Sequence, residues 1–75
     1  MTTQEMIDNL VLTIDVESVS IYIDNGEDEE PTHVAYWYFE EWEEDAELVV
    51  PAMLKAIDLF HRDKTLLLET LGIVK

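Results

Sequence analysis

The apolar positions of this chain change period along its length, and each change predicts an element. Ile7, Leu10, Val11 and Ile14 recur at i, i+3, i+4 and i+7, the spacing of one helical face. Thr2 followed by Glu5 has the form of a capping box. A helix is therefore expected over about residues 3–14. The same stretch carries a second pattern: Leu10, Leu12, Ile14 and Val16 alternate as in a strand, so a strand beginning near Leu10 is the alternative. Val19, Ile21 and Ile23 then alternate with Ser20, Tyr22 and Asp24, which predicts a half-buried strand. Asn25-Gly26 is a turn dipeptide, and Pro31 ends an acidic loop. Thr32 to Phe39 is rich in β-branched and aromatic residues and predicts a second strand, with Tyr36 and Tyr38 on one face and Trp37 and Phe39 on the other.

Residues 40–45 either extend that strand or form a charged loop. From about Glu47 the pattern is helical, with Val49, Ala52, Met53, Ala56, Ile57 and Phe60 as the apolar stripe. Pro51 is tolerable only near the start of such a helix. Asp63 can cap a last short helix carrying Leu66, Leu67 and Leu71, with Gly72 as its stop. The expected fold is a single α+β domain over residues 1–75, order α-β-β-α-α, an antiparallel hairpin packed against helices.

Charge sharpens this picture. Residues 1–54 hold fifteen carboxylates and no Lys or Arg; the four cations, Lys55, Arg62, Lys64 and Lys75, follow in the last 21 residues. Nearly all of the formal charge of −14 thus belongs to the first two thirds of the chain. Spread over half of the roughly 4,700 Å² expected for a protein of this mass, fifteen charges amount to about one per 160 Å². Duplex DNA carries about one per 110 Å², from one charge per ~1.7 Å of axis. Such a field attracts basic surfaces and repels nucleic acid and anionic membranes. With no Cys, disulfides and thiolate metal sites are excluded. There is no apolar run of membrane-spanning length and no basic, apolar leader at the start, so a cytoplasmic location is expected.

Little in the sequence suggests catalysis. With two glycines there is no phosphate-cradling loop, and no activated Ser signature is present. Asp24, Gly26, Asp28 and Glu30 resemble a calcium loop only superficially, because no register starting at an Asp places Gly26 sixth. His33 and His61 lack partners at metal-ligand spacing. No enzyme activity, cofactor or dedicated metal site is expected.

The acidic runs are Glu27, Asp28, Glu29 and Glu30, and then Glu40, Glu41, Glu43, Glu44 and Asp45 around Trp42. If the second strand continued, Glu41, Glu43 and Asp45 would line one face about 6.6 Å apart. In charge, size and lack of catalytic groups, the chain resembles the small acidic inhibitors of phages and mobile elements: anti-CRISPR, anti-restriction and uracil-glycosylase-inhibitor proteins. That resemblance carries no shared motif. It implies a DNA mimic whose partner is the basic surface of a nucleic-acid-binding protein, with no direct nucleic acid and no membrane. The binding surface would comprise the two runs, with Trp37 or Trp42 as apolar anchor. Two other readings compete. One is a non-catalytic interaction or structural module, a homodimer whose acid merely solvates. The other is salt adaptation, which predicts poor folding below molar salt.

Overall fold

The computed structural model describes residues 2–41, the backbone alone at Glu41, and residues 46–74. Helix α1 (Thr3–Asp8) leads into strands β1 (Leu10–Ile14), β2 (Ser18–Ile23) and β3 (Thr32–Tyr38). A 3-10 turn over Phe39–Glu41 follows, then helices α2 (Ala46–Arg62) and α3 (Lys64–Thr70). The class is α+β, and the expected hairpin of β2 and β3 packs against helices.

The first element departs from expectation. The capping box forms as read, with the Thr2 hydroxyl accepting from the Glu5 N–H (3.2 Å) and the Glu5 carboxylate accepting from the Thr2 N–H (3.3 Å). The helix stops at Asp8, however, and the strand alternative takes over at Leu10. Asn9 ends it: its side-chain amide donates to the Glu5 carbonyl at 2.9 Å. Asp and Asn are poor interior helix residues because they compete for backbone groups in this way. Val11, Thr13 and Ile14 are β-branched and favour the extended chain that follows. As a strand, the segment places Leu10 and Leu12 beside Ile23 and Ile21 on one face.

All three strands are antiparallel, in the order β1-β2-β3. Val19, Ile21 and Ile23 alternate into the core as predicted, each at most 4% exposed. Across from them β3 contributes Ala35 and Trp37. Opposite Ile21 and Tyr22 the register slips: Ile21 pairs with Ala35 but Tyr22 pairs with His33, so Val34 is an extra residue, a β-bulge.

Helices α2 and α3 supply Ala56, Leu59, Leu67 and Leu68 to the core, and Met6 and Ile7 of α1 pack at its edge. The buried stripe is offset from the one read in the sequence. Leu59 joins Ala56 inside, whereas Ala52 is exposed. In α3, Leu68 is fully buried and Leu66 is 43% exposed. The cap forms as read: the Asp63 carboxylate accepts from the Leu66 N–H at 3.0 Å, and α3 turns Leu67 and Leu68 inward. Gly72, at φ +77°, closes α3 with a Schellman motif. Its N–H reaches the Glu69 carbonyl, and the Ile73 N–H reaches that of Leu68.

Helices cover one face of the sheet only. The molecule is accordingly flat, with principal extents of 37 × 27 × 18 Å and an accessible surface of 5382 Å². A typical folded monomer of this mass exposes roughly 4,700 Å².

Candidate functional site

The uncovered sheet face is built from the positions that alternate away from the core: Val11 and Thr13 of β1, Ser18, Ser20 and Tyr22 of β2, and His33, Tyr36 and Tyr38 of β3. Its rings form a continuous row. Tyr22 and His33 lie 5.7 Å apart between centroids, His33 and Tyr36 6.2 Å edge to face, and Tyr36 and Tyr38 6.5 Å apart and nearly parallel at 7°. Tyr36 is 56% exposed. The bulge makes this row possible. Strict alternation would set His33 on the same face as Ala35 and Trp37; the extra residue Val34 turns it to the side of Tyr36. Sequence parity therefore locates Tyr36 and Tyr38 but misses His33.

No carboxylate stands on a strand: β1, β2 and β3 contain no Asp or Glu. The acid gathers at the two ends of the sheet instead. At one end are Asp8, Asp24 and the exposed run Glu27, Asp28, Glu29 and Glu30 in the β2–β3 loop. This loop is held firmly. The Asn25 side-chain amide donates to the Glu30 carbonyl (2.9 Å) and to the Thr32 hydroxyl (2.8 Å), so it ties the two stems together. The Asp24 carboxylate accepts from the Gly26 N–H (2.9 Å), and Gly26 adopts φ +110°, a conformation suited to glycine.

At the other end Asp15 and Glu17 occupy the β1–β2 turn. The Phe39 N–H donates to the Glu17 carbonyl at 2.9 Å, which brings the exposed Glu40 alongside. Six steps along a strand separate the ends by about 20 Å.

Among the described residues, carboxylates of the two acidic runs lie at different ends of the sheet. Glu27, Asp28, Glu29 and Glu30 lie at one end and Glu40 at the other. The row that Glu41, Glu43 and Asp45 would form on a longer second strand does not start, because β3 ends at Tyr38 and a 3-10 turn follows. The Glu41 side chain and residues Trp42, Glu43, Glu44 and Asp45 lie outside the described residues. Trp37 faces the helices: it is half-buried and packs against the core. It also lines an apolar cleft of about 170 Å³ with Ala52, Ala56, Leu59, Leu67 and Leu71, at whose rim stand Lys55 and Thr70.

The described cations, Lys55, Arg62 and Lys64, sit apart on the helical layer. Arg62 pairs with Asp58 at 2.8 Å, and Lys64 lies 4.7 Å from the centre of the Phe60 ring. Among the described residues no carboxylate before α2 is in an ion pair, and no group of three His, Asp or Glu side chains is placed to hold a metal ion. At Glu5, the hydrogen bonds from the Thr2 backbone and then its hydroxyl lower the carboxyl pKa below its ordinary value. None of the described helices is long and apolar enough to cross a membrane.

Comparison with known proteins finds no family model that matches the chain, and no curated protein or solved structure that matches it significantly.

Proposed function

We propose that this protein is an acidic inhibitor that occupies the positively charged nucleic-acid groove of a DNA-handling enzyme. One observation carries the reading. Among the described residues, exposed carboxylates without cationic partners stand at both ends of a hydrogen-bonded sheet, and the cations Lys55, Arg62 and Lys64 lie on the helical layer. A groove built to hold phosphates presents Lys and Arg, and fixed carboxylates can displace its counterions much as phosphates do. Order in the acidic loop matters here, because charges already fixed in place need no ordering on binding. The resemblance to phage-borne inhibitors such as anti-CRISPR and anti-restriction proteins points the same way.

The test is competition. Purified protein is titrated into a Cas9 ribonucleoprotein, a restriction endonuclease and a uracil-DNA glycosylase, each holding a fluorescent duplex. Displacement from one of them is expected, weakening steeply as salt rises. Replacing Glu27, Glu29 and Glu30 by Lys, and separately Glu41, Glu43 and Glu44 by Lys, should abolish it without loss of fold. Variants that displace DNA as well as the parent does would refute charge mimicry.

A homodimeric interaction module is the second reading. The uncovered sheet face favours it, since its row of aromatic rings, with Tyr36 56% exposed, could be covered by a second copy. Sedimentation at low and moderate salt separates the two readings.

A further inference from the structure

The ring row and the acidic ends belong to one surface, and together they select a particular chemistry. We propose that the open face of the sheet docks an arginine-bearing basic segment of the partner, with guanidinium groups lying on Tyr22, Tyr36 and Tyr38 while flanking cations meet the carboxylates at the two ends. This deepens the inhibitor reading and rests on it.

Three observations support the choice of occupant. First, the face carries no Lys, Arg, Asp or Glu, Tyr36 is 56% exposed and Tyr22 and Tyr38 are half-buried, so a cation approaching it meets aromatic rings rather than a competing Lys. Second, Tyr36 and Tyr38 are nearly parallel. A planar guanidinium can lie flat along such faces, while a compact, strongly hydrated ammonium gains nothing from their alignment. Third, both ends of the face are negative, so a basic segment running along the strands is held at each end.

The same charges argue against a second copy as occupant. Sheets that pack face to face keep their strands within about 30° of one another. Because both ends of this sheet are acidic, either strand direction would set carboxylates against carboxylates.

Hexa-arginine and hexa-lysine peptides of equal charge provide the probe. Each is titrated into the full chain at 50 mM salt, with affinity read by calorimetry and location by the ring-proton NMR signals of the tyrosines. The arginine peptide should bind roughly threefold to tenfold more tightly, the range expected for one or two exposed cation–π contacts. It should shift the Tyr22, Tyr36 and Tyr38 ring signals.

The double variant Tyr36→Thr, Tyr38→Thr should lose this preference while retaining salt-sensitive binding of both peptides. The parent's ring signals decide the question even if the variant is poorly folded. Equal affinities with unmoved ring signals overturn the docking proposal but leave the acidic-inhibitor reading standing. If neither peptide binds, both fall. A parent that sediments as a dimer with its tyrosines protected overturns the proposal in favour of a second copy.

Discussion

Single side chains divide sharply here between those that hold the fold and those that are free to serve a surface. Leu66 and Leu68 sit two positions apart in α3, yet one is 43% exposed and the other fully buried. Truncating a buried leucine costs about 2–5 kcal/mol. A chain of this length has ~4–11 kcal/mol of stability in all. Leu68→Ala should therefore lower the urea midpoint severely or unfold the protein, whereas Leu66→Ala should change stability by less than about 1 kcal/mol. Equal effects of the two substitutions would mean that α3 is rotated from the orientation described. The sequence reading placed Leu66 on the apolar face with Leu67 and Leu71 and left out Leu68; Leu66, Leu67 and Leu68 are consecutive, and periodicity alone chooses poorly among neighbours. The cap at Asp63, by contrast, was legible.

At the scale of elements, legibility followed the clarity of the period. β2 has a single apolar alternation and was read correctly. So were the hairpin, its acidic loop, the cap at Asp63 and the stop at Gly72. The region from Ile7 to Ile14 satisfies two periods at once, and what separates them is not hydrophobicity. The decision rests on Asn9, which closes the helix, and on the open edge of β2, whose backbone groups gain partners only if β1 is extended. That edge is a tertiary fact with no local signal. The bulge at Val34 is likewise invisible in the sequence, and with it the place of His33 in the ring row.

Helix α2 was expected from about Glu47, with Pro51 near its start. It begins at Ala46, which places Pro51 a full turn inside. The residue lacks the N–H that would bond the Glu47 carbonyl. An interior proline costs up to ~3 kcal/mol relative to alanine. Pro51→Ala should accordingly stabilise the protein by about 1–3 kcal/mol in chemical denaturation. A neutral or destabilising outcome would show that the turn before Pro51 contributes no helix in solution.

For the molecule as a whole, charge and shape are arranged together. Among the described residues, the exposed carboxylates of the sheet stand apart at its two ends, and the helical layer that carries the described cations lies behind it. The uncharged strands have a consequence for colloidal behaviour. β1 and β3 each leave one side of the ladder without a neighbouring strand, and Ile14 and Val16, beside the free border of β1, are 65% and 88% exposed. Lysine, proline, an inward charge or a bulge on such a border ordinarily keeps copies from joining; β3 carries the bulge at Val34, whereas β1 has none of these. At the β1 border, repulsion between whole molecules is left to keep copies apart, and it vanishes near the isoelectric point of about 4.1. Acidifying a concentrated solution toward that value should produce ribbon-like polymers that bind thioflavin T, and Ile14→Lys should suppress them. A clear, monomeric solution throughout the acidification would mean that this border is guarded by something other than electrostatics.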